Sequence, residues 1–263
     1  MAGAPGSRVR DATRRTRDLL RSDLRGGAYP DQRLPPEETL MRQMQVSRAV
    51  IRGALTLLRA EGLIDRVQGV GTTLVFQPQS MTLEESQGVA EPDPEGLLGS
   101  RMRPLVLAHD DVDLPPPIAR RLGVASESPG VRIDYVAVID GRPFGMITNY
   151  MRMPEAAQLA GVPFRSDYYS YLTDAGLRSR ETTYLMEAAA ADEIDAELLK
   201  VPLGAPVMVA EQALFNESGE AFNYAFVRGR GDTFGILSSA GKMPDATTRP
   251  SGGSPAQPHP RPA

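Results

Sequence analysis

Residues 34–75 read LPPEETLMRQMQVSRAVIRGALTLLRAEGLIDRVQGVGTTLV, a pattern that predicts a helix, a tight turn and a second helix. The second helix is expected to begin after Ser47, whose hydroxyl can cap it by accepting a backbone N–H. It is expected to end at Gly62, because glycine takes the left-handed conformation at a helix C-terminus without strain. Apolar residues recur along this helix at spacings of three and four, and they predict one buried face: Val50, Ile51, Ala54, Leu55, Leu57 and Leu58.

A β-hairpin is predicted directly after the second helix, with strands at 63–67 and 72–76 and a turn at 68–71. Two helices followed by such a hairpin make a winged helix-turn-helix, whose second helix enters the major groove of DNA with its N-terminal residues. The exposed side of that helix start is therefore predicted to contact DNA. It carries Ser47, Arg48, Ala49 and Arg52.

Four short motifs mark this stretch. They are LP-x-E-x-x-L at 34–40, V-S-R-x-x-I-R-x-A-L at 46–55, E-G-L-I at 61–64 and G-x-G-T at 69–72. Through them the chain resembles the GntR family of bacterial transcription regulators. The resemblance implies a DNA-binding winged helix-turn-helix, and it adds further DNA contacts at Arg33, Pro36, Gln68, Gly69 and Gly71.

Two positions depart from the family pattern, and both remove positive charge from the expected DNA surface. Glu38 stands where the family often has an arginine, and Val70 stands between the wing glycines where a lysine is common. Because cationic side chains supply most of the affinity for phosphate, we expect an unusual DNA affinity or an unusual operator sequence.

The distribution of charge favours DNA binding by the N-terminal part of the chain. The net charge is −4, but residues 1–76 contain 13 arginines, no lysine and eight acidic residues. Phosphate neutralisation needs only such a local positive field. The chain has no cysteine and only two histidines, which argues against disulfides, metal sites and histidine-based catalysis.

We predict no enzymatic activity, no cofactor and no membrane association, and we expect a cytoplasmic protein. No apolar run in the sequence is long enough to span a bilayer. The N-terminal residues also lack the apolar core of a secretory signal.

Composition divides the chain into four parts. Residues 8–76 are the predicted winged helix-turn-helix domain, and the polar, acidic residues 77–99 are a predicted linker. Residues 100–237 are a predicted effector-binding and dimerisation domain, and the Pro-rich residues 238–263 are a predicted disordered tail. The first domain is expected to open with a helix at 9–25 whose buried stripe contains Val9, Ala12, Thr16, Leu19, Leu20 and Leu24.

Strands and short helices alternate with tight turns in the third part, which predicts an α+β domain built on an antiparallel sheet. Helices are expected at 118–122 and 168–174, and a third helix is expected to be capped by Asp192 and to turn Ile194, Leu198 and Leu199 inward. The expected strands are 105–108, 131–139, 144–151, 180–188, 207–215 and 221–227.

Another set of motifs lies in this part of the chain. They are D-G-R-P at 140–143, Y-x-x-L at 169–172, VPLGAPV at 201–207 and RGDTF at 230–234. Their order is similar to that of the UTRA domain of the HutC subfamily of GntR regulators, which resembles chorismate lyase in fold. The resemblance implies a small-molecule effector site and homodimerisation in this domain.

The effector site implied by the resemblance lies between the sheet and the helix that contains Tyr169. Relatives that bind sugar phosphates use two arginines, a serine and a glutamate there. In this chain those places hold Tyr135, Ala137, Asp167 and Asn223. Because phosphate recognition favours guanidinium donors, the loss of both arginines predicts a less anionic or more apolar effector. Arg228 could restore a positive charge and is a further effector-site candidate.

These patterns predict a transcription regulator, most often a repressor in this family, that binds a pseudo-palindromic double-stranded DNA operator as a homodimer. Two alternatives remain open. A non-functional pocket would leave a constitutive DNA-binding regulator, and a chorismate-lyase-like domain that still acts on a substrate would be an enzyme. Ligand-induced thermal stabilisation would identify a sensor, and pyruvate release would identify the enzyme.

Overall fold

The computed structural model describes residues 5–29, 31–75, 79–82 and 101–238. Its N-terminal unit contains α1 (Pro5–Arg25), α2 (Glu37–Met44), α3 (Arg48–Ala60), β1 (Ile64–Val67) and β2 (Gly71–Leu74). The two strands pair antiparallel and form the wing directly after the helix-turn-helix. This order of elements confirms the winged helix-turn-helix that the sequence predicts.

The apolar core of the N-terminal unit is formed by all three helices and both wing strands. α1 packs closely on α3 at Gly53, where an added Cβ would lie 2.8 Å from the Cγ2 methyl of Thr13. The close contact explains why the smallest residue stands in the middle of α3. The fully buried side chains of this core include Leu20, Leu24, Leu40, Ile51, Leu58 and Ile64.

Three residues predicted for this core are exposed instead. Val9 is 50% exposed, Leu19 is 57% exposed and Leu57 is 38% exposed. The buried stripe of α1 is narrower than predicted, because spacings of exactly four place Thr16, Leu20 and Leu24 one above another on the helix. Leu19, one position before Leu20, lies outside this stripe.

Ser47 occupies the predicted N-cap position of α3, but its side chain does not make the predicted hydrogen bond. The residue is extended, with φ −70° and ψ 159°, and its hydroxyl accepts no capping hydrogen bond from the described backbone. Its carbonyl accepts from the N–H groups of Val50 and Ile51, both at 3.1 Å. Gly62, just beyond α3, has a φ of +74° and fulfils its predicted role.

The second part of the chain is a six-stranded antiparallel sheet. Its strands are β4 (Met102–Asp113), β5 (Pro129–Ile139), β6 (Arg142–Arg152), β7 (Glu181–Ala190), β8 (Pro206–Phe215) and β9 (Ala221–Arg230). The sheet has the strand order β4-β5-β6-β9-β8-β7. It confirms the predicted α+β class. β5 and β6 join through Asp140 and Gly141, which both have positive φ angles, as a tight hairpin turn requires.

β4 is much longer than the strand predicted at 105–108. Its polar residues continue the ladder with β5, and Asp110 lies opposite Arg132 in the pairing. The carboxylate of Asp110 accepts a hydrogen bond from Arg132 at 2.8 Å. An exposed edge strand tolerates such charged residues, so hydrophobic patterning alone underestimates its length.

Short helices accompany the sheet: α4 (Pro116–Arg121), α5 (Tyr168–Asp174), α6 (Glu193–Leu199) and a 3₁₀ turn at Glu155–Leu159. α5 has the predicted bounds. The sequence motifs did not predict the 3₁₀ turn, which contributes the buried side chains of Ala156 and Leu159 to the main core.

α6 begins at the predicted cap, yet a different residue of the helix is buried. Asp192 and Asp195 form a reciprocal capping box, in which each carboxylate accepts the backbone N–H of the other residue, at 2.9 and 3.1 Å. The box turns Asp195 inward, whereas Ile194 is 60% exposed. Leu199 is fully buried, as predicted.

Several contacts join the two parts of the chain. The strand β3 (Gln79–Thr82) lies within the predicted linker and pairs parallel with β10 (Phe234–Leu237). The Arg142 guanidinium donates a hydrogen bond to the Val75 carbonyl at 2.6 Å. Apart from Ser238, the predicted tail lies outside the described residues, as does most of the predicted linker.

Candidate DNA interface and effector cavity

A concave surface lies between α2, α3 and the wing, and we call it the arginine cleft. Its basic residues are Arg33, Arg48, Arg52, Arg59 and Arg66. Five guanidinium groups on one open surface create the local positive field that attracts a phosphate backbone. The acidic net charge of the whole chain therefore does not describe this surface.

The structure brings most of the predicted DNA-binding residues to this surface or to its rim. Arg33, Pro36, Arg48, Arg52 and Gly71 line the arginine cleft. Gln68 and Gly69 lie at the wing tip, beside the cleft, and Gly69 has a φ of +78°. Ser47 and Ala49 are exposed at the first turn of α3, next to Arg48.

Arg59 and Arg66 also line the cleft, although they lie outside the four sequence motifs. Arg59 lies seven residues after Arg52 on α3, a spacing that returns to the same helix face. Arg66 lies on β1 opposite Thr72, which also lines the cleft. Both positions could have been found from helical and strand periodicity.

One carboxylate enters the cleft. Glu37 approaches Arg52, with 3.7 Å between Glu37 Oε1 and Arg52 Nε, and their side chains are 42% and 68% exposed. Exposed pairs of this kind contribute little, so Arg52 can exchange Glu37 for another anion. Glu38, which replaces a common arginine, is exposed and is not among the residues that line the cleft.

Some arginines of α1 have partners inside the N-terminal unit. Both Arg17 and Arg21 bind the carboxylate of Glu61 at the end of α3, and the Arg21 distance is 3.1 Å. The hydrogen bond from Glu61 raises the pKa of Arg17, against the opposing effect of burial. These contacts fix α1 on α3. They hold both guanidinium groups at the C-terminal end of α3, whereas Arg48 lies at its N-terminal end.

A second cavity lies between one face of the sheet and α5, and we call it the effector cavity. It opens to solvent and has a cavity volume of about 80 Å³. Most of its wall is aromatic or aliphatic. The lining residues are Met102, Tyr135, Ala137, Phe144, Gly145, Ile147, Asn149, Asp167, Tyr168, Tyr169, Tyr184, Gln212, Val227 and Gly229.

Four of the six predicted effector-site residues line this cavity, namely Tyr135, Ala137, Asp167 and Tyr169. Asn223 lies behind the wall and reaches it only through hydrogen bonds. Arg228 is on the opposite face of β9, because Val227 and Gly229 on either side of it face the cavity. It binds Asp195 instead.

Asp167 is buried at the start of α5 and caps that helix. Its Oδ1 accepts the backbone N–H groups of Tyr169 and Ser170, both at 3.0 Å. Its Oδ2 accepts the hydroxyl of Ser170. The carboxylate is 2% exposed, so the chain itself supplies the anion that the first N–H groups of this helix bind.

A chain of hydrogen bonds runs from Tyr168 to the cavity wall. The Tyr168 hydroxyl donates to Asn223 Oδ1 at 2.8 Å, and Asn223 Nδ2 donates to Asn149 Oδ1 at 3.1 Å. Asn149 is 1% exposed, and its Nδ2 makes no hydrogen bond of normal geometry within the described residues. It does lie close enough to the Tyr135 hydroxyl to oppose slightly the rise in the pKa of that group.

The cavity tyrosines are protonated at neutral pH. Burial raises the pKa of Tyr135 and Tyr168 well above the usual value, and it raises the pKa of Tyr184 to about 12. Burial also raises the pKa of Tyr169, against the opposing hydrogen bond from Gln212. The polar groups that these rings offer are therefore neutral hydroxyls.

Comparison with known proteins identifies both parts of the chain. The family model of bacterial regulatory proteins of the gntR family matches residues 12–74, and the UTRA domain model matches residues 98–235. The chain belongs to the GntR family. As a GntR regulator with a UTRA domain, it is a DNA-binding transcription regulator with an effector-binding domain.

Several relatives span most of the chain. It is 24% identical to the HTH-type transcriptional regulator GmuR and 26% identical to the transcriptional repressor NagR, both from Bacillus subtilis (strain 168). These alignments cover 83% and 82% of this chain, and 94% and 89% of the relatives. An uncharacterised HTH-type regulator from Rhizobium meliloti (strain 1021) is 30% identical over 82% of this chain and 89% of its own.

Solved structures share the fold over nearly the whole chain. PhnF from Mycobacterium smegmatis superposes with a TM-score of 0.57 at 18% identity, covering 87% of this chain and 100% of PhnF. YydK from Bacillus subtilis gives 0.54 at 18% identity, covering 88% and 99%. Among the helices that the structure describes, none is both long and apolar enough to cross a membrane.

Proposed function

We propose that this GntR regulator is a cytoplasmic repressor of the HutC subfamily that binds a pseudo-palindromic operator as a homodimer. The observation that carries the proposal is the arginine cleft, where Arg48 and Arg52 of α3 share one surface with three further arginines. A histidine utilization repressor from Pseudomonas aeruginosa is 28% identical over 74% of this chain and supports the subfamily.

In this proposal α3 enters the major groove, and the wing follows the adjacent phosphates. Arg48 and Arg52 read base edges or anchor phosphates, since both are exposed on the leading turns of α3. Ser47 contributes a hydroxyl that α3 does not use for its own cap. Arg33, Arg59 and Arg66 bind phosphates, while Pro36, Ala49, Gln68, Gly69 and Gly71 shape the contact surface.

A second copy of the chain is the partner that the sheet edges favour. Leu105, Val106 and Leu107 of β4 are 42–56% exposed, and Leu185 of β7 is 56% exposed. These two strands are the edges of the sheet, and exposed edges with apolar side chains are sites of pairing with another chain. A dimer would set two recognition helices at the spacing of two operator half-sites.

The effector would act by changing how the DNA-binding units are held. The bond from Arg142 to the Val75 carbonyl and the pairing of β3 with β10 link the effector domain to the end of the wing. A ligand in the effector cavity can change operator affinity only if it binds one arrangement of the dimer more tightly than another.

The cavity argues against the alternative of a constitutive regulator with a non-functional pocket. The pocket retains a cavity of about 80 Å³ that opens to solvent, and Nδ2 of the buried Asn149 in its wall makes no hydrogen bond of normal geometry within the described residues. A decayed site is expected to fill with side chains. The chorismate-lyase-like enzyme gains no supporting observation from the cavity, whose polar groups are neutral hydroxyls, amides and a capped carboxylate.

The test is binding of the full-length protein to DNA from upstream of its own coding sequence, measured by fluorescence anisotropy at several salt concentrations. We expect sequence-selective binding with a steep salt dependence. Arg48→Ala and Arg52→Ala should each weaken selective binding by about 1–3 kcal/mol while the dimer stays intact. Unchanged operator affinity in both variants would refute the placement of α3 in the groove.

A further inference from the structure

The effector cavity combines an aromatic wall with one buried amide, Asn149, whose Nδ2 makes no hydrogen bond of normal geometry within the described residues. We propose that its ligand is an uncharged molecule with a flat apolar body and a hydrogen-bond acceptor that reaches Asn149. This inference rests on the proposed function in one respect, because it takes this cavity to be the effector site.

An anionic ligand would find no positive partner here. None of the described residues that line the cavity is an arginine, a lysine or a histidine. The first N–H groups of α5 already donate to Asp167. A phosphate or carboxylate would therefore lose its hydration beside a buried carboxylate, without a cation to compensate.

A cationic ligand is disfavoured for a different reason. Among the described residues that line the cavity, Asp167 is the acidic one, and both of its oxygens already accept hydrogen bonds within α5. Because its carboxylate is satisfied before any ligand arrives, a cation would gain little from it in return for lost hydration. A neutral ligand has no hydrated charge to lose on entering the cavity.

The direction of the hydrogen bonds in this chain determines whether the ligand must donate or accept a hydrogen bond. The buried Tyr168 hydroxyl needs an acceptor for its proton, and Asn223 Oδ1 is 2.8 Å away. Asn223 Nδ2 must then donate to Asn149 Oδ1, which leaves Asn149 Nδ2 as the end of the chain. An amide nitrogen is a donor, so a ligand carbonyl or ring heteroatom is the matching group.

The floor of the cavity suits a planar body. Gly145 of β6 lies directly opposite Gly229 of β9, and both line the cavity. Two paired glycines leave a patch of the sheet without side chains, onto which a ring can pack face down. The rings of Tyr135 and Tyr168 lie nearly parallel, 18° apart, at the side of this floor.

The experiment compares three probes of nearly identical shape and different charge. Benzamide is neutral and has a carbonyl acceptor, benzoate is anionic and benzamidine is cationic. Binding of each to the full-length protein is measured by ligand-detected NMR titration. We expect benzamide to bind about tenfold or more tightly than either charged probe. Tighter or equal binding of benzoate or benzamidine, or no binding of all three, would overturn the inference.

Two variants locate the binding. Asn149→Ala should weaken benzamide binding by about tenfold, since it removes the single donor at the end of the chain. Ile147→Trp should abolish binding by filling the cavity. Because this change leaves the hydrogen-bond chain in place, it tests the same site if Asn149→Ala fails to fold. Thr148→Ala, one residue from Asn149 on the other face of β6, is the matched control and should bind benzamide normally.

Operator binding by the ligand-free protein is measured alongside. Loss of selective DNA binding would refute the proposed function and leave the probe series unaffected. Selective DNA binding together with a reversed charge preference, or unchanged benzamide affinity in Asn149→Ala and Ile147→Trp, would refute only the inference about the ligand.

Discussion

Arg228 and Asp195 form a two-point ion pair, with Nε–Oδ1 and Nη2–Oδ2 distances of 2.6 Å each. Asp195 is fully buried, and the Arg228 side chain is about one quarter exposed. The pair fastens the start of α6 to β9. It also removes from the effector cavity the one arginine that the sequence suggested for it.

The stability contributed by this pair should depend on pH. Burial alone would raise the pKa of Asp195, but hydrogen bonds from Arg228 and the Asp192 backbone outweigh it and the pKa is lowered. A carboxyl whose pKa is lower in the folded state contributes its full stability above its unfolded pKa of about 3.9. That contribution is lost as the pH falls further, through the folded pKa.

We therefore predict that Asp195→Asn lowers the free energy of unfolding by about 1–3 kcal/mol at pH 7. The difference from the wild type should shrink as the pH falls below about 4, as measured by urea denaturation at a series of pH values. Glu197→Gln, an exposed change on the same helix, is the control. A difference that stays constant down to the lowest pH would contradict the assigned cause.

The arginine cleft predicts how much DNA affinity is lost when one of its arginines is replaced. Arg48→Ala or Arg52→Ala should each cost about 1–3 kcal/mol if the side chain reads a base. The measurement is anisotropy with the operator and with a scrambled duplex. Arg178→Ala, an exposed change in the effector domain, should leave both affinities unchanged. Equal losses on both duplexes would mean that the residue binds phosphate and reads no base.

A substitution in the wing is expected to strengthen DNA binding. Val70 is 42% exposed at the wing tip, so Val70→Lys should tighten DNA binding and increase the salt slope by about one. Arg66→Ala should reduce that slope by about one. Val70→Gln is the uncharged control of similar length. An unchanged slope in Val70→Lys would show that the wing tip lies away from the phosphates.

The bond between Arg142 and the Val75 carbonyl predicts how firmly the DNA-binding unit is held. Arg142→Ala should broaden the distribution of distances between spin labels at Arg14→Cys and Arg178→Cys, measured by double electron–electron resonance in labelled protein diluted with unlabelled chains. The chain contains no cysteine, so only these two sites react. Arg120→Ala should leave the distribution unchanged. An equally narrow distribution in Arg142→Ala would show that this contact does not hold the unit.

The sequence predicted best where structure is set by short-range pattern. The motifs around Ser47 and Gly62 gave the order of helices and wing, and 168–174 gave α5 with the observed bounds. Alternation of inward and outward residues could also have excluded Arg228 from the cavity, because it stands between Val227 and Gly229. The exposure of Leu57 shows the limit of counting apolar residues. An apolar residue of a helix is buried only where another element of the fold covers it.

The sequence pattern could not predict contacts between residues that are far apart in the chain. Nothing local to Ile194 reveals that the next residue, Asp195, will meet an arginine 33 positions later. The same holds for Asn149, whose place in the cavity wall depends on Asn223 and Tyr168 from two other elements. Short β3 carries no periodicity of its own, because it is defined by its pairing with β10.

That pairing has a consequence for the order in which the protein is made. β3 follows the wing directly, but its partner begins only at Phe234. Domains generally fold as units during synthesis, the N-terminal one first, so the helices and wing can be finished long before β10 leaves the ribosome. A growing chain therefore carries a finished DNA-binding unit at a stage when β3 still lacks its partner strand.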